Sequence, residues 1–326
     1  MDHFSEARFH DENAARAHLE GLLWPDGPVC PHCGVVNHAY PSNKRPGVYR
    51  CAEAACRQDF TVTMRTVMER SKIALHKWLQ AFHLMASSKK GVSAHQLHRT
   101  FDIGYEAAWF MAHRIREAMR DGGLAPLGGN GGIVEADETY FGPVETPLPR
   151  SRGRIPKPTK GGKSGPADKR AILSLVERGG RVRSFHPGNA DGATVAAIVR
   201  ENIARESRLH TDESRLYTKV GAEFEAHETV THSHDEYVRY NHTFDADGKL
   251  HTEKVHTNSA EGYFSIFKRG MKGVYQHCRE KHLHRYLAEY DFRYNHRVKL
   301  GFNDGERAAL AVKGSAGKRL TYRGPH

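Results

Sequence analysis

The chain has 326 residues, of which 27% are charged and 38% hydrophobic, and this is the composition of an ordinary globular protein with room for about two domains. Its formal net charge of +11 favours a polyanionic partner, either nucleic acid or an anionic membrane surface. No apolar run approaches the roughly 18 residues of a membrane span, and the first residues lack the basic and then apolar order of a signal peptide, so we expect a cytoplasmic protein that binds nucleic acid and no membrane.

The first predicted element is a helix within residues 1–25, whose amphipathic pattern ends at Trp24-Pro25 because proline cannot continue it. Residues 26–65 follow and are rich in Gly, Pro and Cys, with short β-type runs. In a reducing compartment, paired cysteines suggest a metal before a disulfide, and two pairs can place four thiolates around one Zn²⁺. This segment holds two such pairs: Cys30, Cys33, Cys51 and Cys56.

The gap between Cys51 and Cys56 is wider than the two residues of a C-x-x-C knuckle, so His32 or His38 is an alternative to one of the cysteines. Four protein ligands leave no open coordination position, and we therefore expect a structural zinc that holds a small β-ribbon. The fifth cysteine, Cys278, has no partner in sequence, and we interpret it as structural or incidental.

A helical region is predicted for residues 66–125, where helical periodicity runs from Ser71 to Arg120. Within it, a glycine-containing turn near Gly104 separates two helices. That spacing resembles a helix-turn-helix, with Tyr105 to Arg120 as the recognition helix, and a plain helical hairpin fits the pattern equally well. The sequence therefore predicts a helical, DNA-binding region here and leaves its type open.

Residues 130–300 alternate strand and helix patterns after the glycine-rich boundary at residues 122–132. This order indicates a mixed α/β sheet flanked by helices. Residues 150–170 are basic and rich in Gly and Pro, which predicts a mobile loop that orders on DNA. Residues 301–326 are interpreted as a basic, weakly patterned tail. The predicted strands are 133–141, 170–177, 181–186, 207–211 and 228–232, and the predicted helices are 193–204, 258–270 and 282–297.

Three acidic residues stand where rigid elements can bring carboxylates together. Asp137 lies inside a strand pattern, Asp212 follows the apolar end of another strand, and Glu261 falls in the first turns of a helix. Alternation on the first strand places Glu135 on the face of Asp137 and Glu138 on the opposite face. Phosphodiester cleavage with two metal ions requires carboxylates in such positions.

Any single acid is more often a solvated surface residue, and these three carry the prediction only as a set. Asp191 and Asp235 are rival candidates, but Asp191 is better explained as the N-cap of a helix and Asp235 as part of a polar turn. Lys268 follows Glu261 by two helical turns and shares its face with Asn258.

Several blocks of the sequence closely resemble the signature blocks of ISXO-type insertion-sequence transposases. They are VEADETYFG at 134–142, HTDE at 210–213, HTNSAEGYFS at 256–265 with KRG at 268–270, and HLHRYL at 282–287 running into FRYNHR at 292–297. The resemblance covers nearly the whole chain, because those proteins also begin with a zinc ribbon. It implies an RNase H-like catalytic domain, a DDE triad, dependence on two Mg²⁺ (or Mn²⁺) ions, and an oligomer that binds the element's terminal inverted repeats and target DNA in the nucleoid.

Position by position, the resemblance implies that the triad is Asp137, Asp212 and Glu261. Lys268 matches a basic residue that grips the terminal phosphates, and Asn258 matches a position near the site. The sequence departs from the family in the wider second cysteine gap and in Pro143, where a second glycine is common. A DNA track near the cleft is expected from these residues together with basic neighbours: Asn258, Lys268, Arg269, Lys272, Arg293 and Arg297.

Two other functions remain open at this point. A non-catalytic DNA-binding protein would share the ribbon and the helical region but would not need the acids. A structure-specific nuclease or an RNase H-type hydrolase would share the acids but would have little need for two recognition modules. The 23 histidines lack convincing metal-ligand spacing and are interpreted as neutral residues that contact DNA or solvent.

Overall fold

The computed structural model describes residues 3–122, 125–145, 169–188, 190–244 and 247–321. They fall into two units, the first formed by Met1–Gly122 with His296–His326 and the second by Gly123–Asn295. Most of the predicted basic loop at 150–170 lies outside the described residues. No helix of the described part of the chain has the length and hydropathy that a membrane crossing requires.

The first unit begins with helix α1, Glu12–Leu23, whose N-cap Asp11 accepts a hydrogen bond from the Ala14 amide. A three-stranded antiparallel sheet follows, made of β1 (Ala39–Pro41), β2 (Tyr49–Cys51) and β3 (Asp59–Phe60). Against this small sheet an aromatic cluster forms the core of the ribbon, and it consists of Trp24, Tyr49 and Phe60.

The helical region contains α2 (Leu75–Ser87), α3 (Ala94–Phe101) and α4 (Tyr105–Met119). Helix α3 begins at the N-cap Ser93 and ends at Asp102, whose left-handed backbone starts the short turn into α4. The buried residues of α2 include Trp78, Phe82 and Met85, so this helix supplies much of the core of the unit. The two predicted helices and the turn between them are therefore present.

The C-terminal segment differs from its prediction as a weakly patterned tail. Residues Asp304–Lys313 form helix α9, which is opened by a capping box between Asn303 and Glu306. The buried guanidinium of Arg307 donates hydrogen bonds to the carbonyls of Ala86 and His296. The basic residues therefore do not mark a solvated tail, because the helix packs on α2 and one of its arginines pairs with buried carbonyls.

The second unit is built on a five-stranded mixed sheet in the order β6-β5-β4-β7-β8. Strands β4, β5 and β6 pair antiparallel, whereas β7 and β8 run parallel to β4. This is the mixed α/β sheet flanked by helices that the sequence predicts. The strands are β4 (Ile133–Pro143), β5 (Lys169–Glu177), β6 (Val182–Phe185), β7 (Arg208–Thr211) and β8 (Ala226–Thr229).

Helices cover both faces of this sheet because alternate strand residues are apolar. On one face Val134, Ala136 and Leu209 pack against α5 (Gly192–Asn202) and α6 (Thr218–Gly221). On the other face Ile172 and Val176 pack against α7 (Asn258–Gly270) and α8 (Leu283–Asn295). A π-helical turn, Met271–Tyr275, continues α7.

A two-stranded antiparallel hairpin, β9 (Arg239–Phe244) and β10 (Leu250–Val255), was not predicted. It lies between β8 and α7 in the chain, in a segment whose histidines we interpret as neutral residues that contact DNA or solvent. The strand predicted at 228–232 is also displaced, because the chain pairs with β7 over Ala226–Thr229 and then forms a 3-10 turn at His232–His234.

Candidate active site

The four cysteines of the ribbon bring their sulfur atoms together. Cys30 Sγ lies 3.7 Å from Cys56 Sγ, and Cys33 Sγ lies 3.6 Å from Cys51 Sγ. These separations are too long for disulfides and match a tetrahedron of sulfurs around zinc, whose edges are about 3.8 Å. The cysteines therefore fit a structural zinc ion, and neither His32 nor His38 belongs to the group of described residues whose donor atoms converge there.

The backbone of the first knuckle favours the form of the thiol that zinc binds. Burial opposes ionisation of Cys30, but hydrogen bonds from the amides of Cys33 and His32 lower the pKa of its thiol to about 7. The Gly34 amide, in turn, donates to the Cys30 carbonyl at 2.8 Å, and this bond closes the turn.

Two of the predicted acids meet where the pairing of the parallel strands β4 and β7 ends. β4 pairs with β7 only as far as the register Glu135↔His210, and β7 ends at Thr211. Asp212 follows directly, and its Oδ1 accepts a hydrogen bond from the Ser214 amide at 3.0 Å, which fixes the carboxylate. β4 continues past this point and carries Asp137 into the same place.

Glu138 joins this pair, although alternation places it on the opposite face of β4. Carboxylate oxygens of Asp137, Glu138 and Asp212 lie within 4.8 Å of one another, and all three residues are half-buried. On the α5/α6 side of the sheet, Glu138 also lies beside the hydroxyl of the buried Tyr217. Glu138 lies on the opposite face of β4, as predicted. Its carboxylate still reaches the site, because β7 no longer flanks β4 at this position.

Electrostatic conditions at this cluster disfavour three negative charges. Burial, followed by the charges of Asp212 and Glu261, raises the pKa of Asp137 to about 7, although Lys268 and the Glu138 amide oppose this effect. Burial and the charges of Asp212 and Asp137 raise the pKa of Glu138 to about 7 as well. A divalent cation would relieve this repulsion, and carboxylate oxygens are the ligands that Mg²⁺ and Mn²⁺ prefer.

The third predicted acid lies outside this close cluster. Glu261 is in the first turn of α7 and its side chain is 47% exposed, with its Oε1 3.6 Å from His232 Nε2. It nevertheless lies near enough for its charge to raise the pKa of Asp137. The described structure therefore brings Asp137 and Asp212 together with Glu138, and it places Glu261 at the edge of the same site.

Helix α7 is held against β4 by a buried carboxylate that the sequence did not single out. Glu135 is fully buried, and its Oε2 accepts hydrogen bonds from the amides of Ser259 at 2.7 Å and Ala260 at 3.2 Å. A carboxylate at a helix N-terminus accepts hydrogen bonds from the first amides, which have no partner within the helix, and its negative charge interacts favourably with the helix dipole. Because Glu135 precedes Asp137 by two residues and Ser259 precedes Glu261 by two, this contact sets the spacing between both acids.

Arg178, in the turn between β5 and β6, completes the contact. Its Nη2 lies 3.0 Å from Glu135 Oε1 and also donates to the His256 carbonyl, and its Nη1 donates to the Lys254 carbonyl. The buried His210 remains neutral, because burial and the charge of Arg178 lower its pKa to about 3. The only available signal for this network was the position of Glu135 on the strand face of Asp137.

The residues predicted to contact DNA have different environments. Lys268 is half-buried beside Asp137, and burial lowers its pKa. Asn258, Arg269 and Lys272 are exposed on α7 and the turn that follows it. These four remain candidates for a DNA-contacting surface.

Arg293 does not belong to that surface. It is buried, its guanidinium pairs with the fully buried Glu289, and it lies 4.5 Å from the centre of the Tyr290 ring. The helix face that carries Arg293 packs into the core, and the charge is satisfied there. Arg297 belongs to the first unit, where it precedes the short 3-10 helix Val298–Leu300.

The two rival acids have local roles. Asp191 caps α5, because its Oδ1 accepts a hydrogen bond from the Thr194 amide at 2.8 Å. Asp235 ends the 3-10 turn with a left-handed backbone conformation. Both observations agree with the interpretation of these residues as parts of turns.

Comparison with known proteins extends these observations. The ISXO2-like transposase domain matches residues 129–295, more than half of the chain, and a transposase zinc-ribbon domain matches residues 10–59. An uncharacterized protein in transposable element ISH50 of Halobacterium salinarum is 27% identical over 269 residues, which cover 80% of this chain and 83% of that protein.

Two solved structures show a weaker similarity. The Mos1 strand transfer complex is 12% identical, covers 74% of this chain and 79% of its own, and gives a TM-score of 0.27. A Mos1 transposase paired-end complex with the left transposon end is also 12% identical, covers 72% of this chain and 74% of its own, and gives 0.26. Values this low carry no inference, whereas the domain matches span both the zinc cluster and the acids. The chain therefore belongs to the ISXO2-like transposase family.

Proposed function

We propose that this transposase cleaves DNA at the ends of an insertion sequence and joins the freed 3′-hydroxyl to target DNA. Asp137, Asp212 and Glu261 would hold two divalent ions, Mg²⁺ or Mn²⁺. The observation that best supports this proposal is the meeting of Asp137, inside β4, with Asp212, directly after β7, where burial and neighbouring charges raise the pKa of Asp137. Half-buried carboxylates this close together repel one another, and a bound divalent cation would offset that repulsion.

Bound ions would supply Lewis-acid activation of the attacking oxygen and stabilisation of the leaving oxygen. Water attacks the phosphodiester at the element end in the first reaction, and the 3′-oxygen leaves as a hydroxyl. In the second reaction that hydroxyl attacks a target phosphodiester and displaces a 3′-oxygen of the target strand. Asp137 is held inside strand β4 and Asp212 at the end of β7, and Lys268 places a positive charge beside Asp137, where a phosphate would lie.

Glu138 is a further carboxylate available to the same ions. Its raised pKa of about 7 means that a bound cation would favour ionisation at neutral pH. Fully buried Tyr217 lies beside it and limits its movement. We therefore propose Asp137, Asp212 and Glu261 as the principal ligands and Glu138 as a carboxylate that supports them.

Recognition of the terminal inverted repeats is assigned to the zinc ribbon and the helical region 66–125, acting in an oligomer that bridges both element ends. The positive charge of the chain supports a DNA partner. The exposed first residues of α4 are Tyr105, Glu106 and Ala107, so this helix would read DNA through side chains other than lysine and arginine at its start.

A strand-transfer assay tests the function. The substrate is duplex DNA that carries the repeats flanking this reading frame, with Mg²⁺ and a supercoiled target. We expect Asp137→Asn and Glu261→Gln to lose cleavage and joining while end binding stays near normal. Asp235→Asn, a change of the same kind outside the cluster, serves as the matched control and should remain active.

Each rival predicts a different result. A non-catalytic DNA-binding protein would bind the ends without Mg²⁺-dependent cleavage by the wild type. A nuclease would cut DNA without preference for the ends and without joining. Joined products from Glu261→Gln would reject the assignment of that residue.

A further inference from the structure

The hairpin β9–β10 is fixed to the second unit by its inner face. Arg239 Nη2 lies 2.5 Å from the Glu228 carboxylate on β8. Glu253 pairs with Arg208 on β7, and its Oε1 lies 3.3 Å from His210 Nε2. Contacts from both strands of the hairpin to β7 and β8 determine which face of the hairpin points outward.

The outer face consists of three cross-strand pairs, and we call it the aromatic face: Tyr240 with Lys254, His242 with Thr252, and Phe244 with Leu250. All six residues are exposed. Tyr240, Phe244 and Leu250 have exposures of 52%, 72% and 51%, although large apolar groups in a patch are usually covered. Within the described chain, four of the eight strongly exposed large hydrophobic residues lie between Tyr237 and Leu250, so this surface is a local concentration.

The charge of the aromatic face suits an anion. Its six residues include no carboxylate, since the only acid of the two strands, Glu253, points to the inner face. The Lys254 ammonium lies 5.6 Å from the centre of the Tyr240 ring. The segment between the two strands carries two acids, Asp245 and Asp247, and one base, Lys249, so the cation of the aromatic face itself is Lys254. Proteins bind single-stranded nucleic acid with aromatic rings that stack on the bases and with cations that contact the backbone, and the aromatic face has both.

This surface is connected to the proposed active site. β10 leads through His256 and Thr257 directly into α7, which carries Glu261. Tyr237, which is 54% exposed, has its ring centre 5.2 Å from that of His232, and His232 Nε2 lies 3.6 Å from Glu261 Oε1. Exposed aromatic residues therefore begin beside this acid and continue onto the hairpin.

We propose that the aromatic face binds unpaired bases of DNA next to the phosphodiester that is cleaved. Tyr240 and Phe244 stack on the bases, and Lys254 contacts the backbone. The strand must be locally unpaired, because a base inside a duplex has both of its faces covered by its neighbours. This inference rests on the proposed function for the position of the scissile phosphate, while the base-binding surface itself rests on the hairpin alone.

Binding of a fluorescent DNA tests the inference. The probe is a duplex with a short unpaired stretch that contains 2-aminopurine, and the fully paired duplex of the same sequence is measured beside it. Both are measured with the full-length zinc-loaded protein and without added Mg²⁺ or Mn²⁺. Tyr240→Ala and Phe244→Ala should each lower affinity for the unpaired probe about tenfold, the effect of losing one stacked base, and should reduce the change in fluorescence. Affinity for the paired duplex should change less than about twofold.

Matched variants separate stacking from folding. Tyr240→Phe and Phe244→Tyr keep a ring and should retain wild-type affinity for the unpaired probe. Val298→Ala removes an apolar side chain that is 73% exposed elsewhere in the chain, and it should have no effect. Circular dichroism of each variant reports whether the hairpin substitutions leave the fold intact, as expected for side chains this exposed.

Three results for Tyr240→Ala and Phe244→Ala would overturn the inference: unchanged affinity for the unpaired probe, an equal loss of affinity for both probes, or a loss of self-association in sedimentation. The last result would mean that the aromatic face is a contact between copies of the chain. Failure of the proposed function gives a different result. A wild type that binds the unpaired probe through Tyr240 but never joins strands in Mg²⁺ contradicts the transposition chemistry and leaves the base-binding surface in place.

Discussion

At the scale of single residues, Asp137 and Glu138 are two adjacent carboxyl groups whose surroundings favour the protonated form in the absence of metal. The pKa of each is raised to about 7 by burial and by neighbouring negative charge. The folded state therefore holds these protons more tightly than the unfolded state does. Stability from this source is present at low pH and is lost as the pH rises towards about 7, by about 1.4 kcal/mol per pH unit for one group.

Asp137→Asn removes one of these charges, and we expect the metal-free variant to melt at a higher temperature than the wild type. The difference should be small near pH 4, grow as the pH rises and level off above about 7, where Asp137 of the wild type is ionised in both states. Thermal melts of both proteins across this range measure it. Adding Mn²⁺ near pH 8 should raise the melting temperature of the wild type more than that of the variant. A variant that is less stable than the wild type at every pH contradicts the repulsion described here.

Glu135 is the residue whose loss should loosen the site without removing a proposed ligand. Glu135→Ala leaves Arg178 without its buried partner and leaves the amides of Ser259 and Ala260 unbonded. We expect a loss of about 3–5 kcal/mol in the free energy of unfolding, measured with urea, together with weaker Mn²⁺ binding.

The control for this prediction is Glu223→Gln, which removes a carboxylate from an exposed set of ion pairs with Arg200 and Arg205. Its unfolding midpoint and Mn²⁺ affinity should stay near those of the wild type. Equal effects of the two substitutions would mean that Glu135 does not position α7.

At the scale of elements, the strands and helices of the second unit were largely predictable because their apolar periodicity is strong. Residues 258–270 were predicted as a helix and form α7, Asn258–Gly270. The hairpin was missed for a physical reason: its outer face exposes Tyr240 and Phe244 to solvent, so its alternation does not separate apolar from polar residues. Helix α9 was missed although its capping residues, Asn303 and Glu306, were visible in the sequence.

The zinc ribbon is the element whose stability should depend most on a metal. Its three strands are only two or three residues long and its apolar core is small. We expect about one zinc ion per purified chain, and Cys51→Ala should lose it, as measured by a colorimetric assay after unfolding. Cys278→Ala removes a cysteine outside the cluster and should keep the metal. Zinc retained by Cys51→Ala would contradict the four-sulfur site.

At the scale of the whole molecule, the sequence predicted the kind of catalytic unit and the kind of ribbon but not how distant segments associate. Residues His296–His326 join the first unit, about 170 residues away from it in the chain, because α9 packs on α2. The meeting of Asp137 with Asp212 agrees with their predicted positions, inside one strand and just after the end of another. The closeness of Glu138 was not, since it depends on β7 ending before β4 does.

Arg293 shows the limit of prediction from charge. Its place in a basic, aromatic helix suggested contact with DNA, yet it is buried against Glu289 and Tyr290. Charge in a sequence does not distinguish a solvated arginine from one paired in the core, because the partner is set by helix packing.

The most direct test of the central claim is the number of manganese ions bound by the zinc-loaded protein on terminal-repeat DNA, measured by electron paramagnetic resonance and calorimetry. The wild type should bind two ions per active site, coupled magnetically to each other, and Asp137→Asn, Asp212→Asn and Glu261→Gln should each abolish the coupled pair. Wild-type protein that binds no coupled pair, or a pair that survives substitution of these acids, would contradict the claim that the three side chains form a two-metal site.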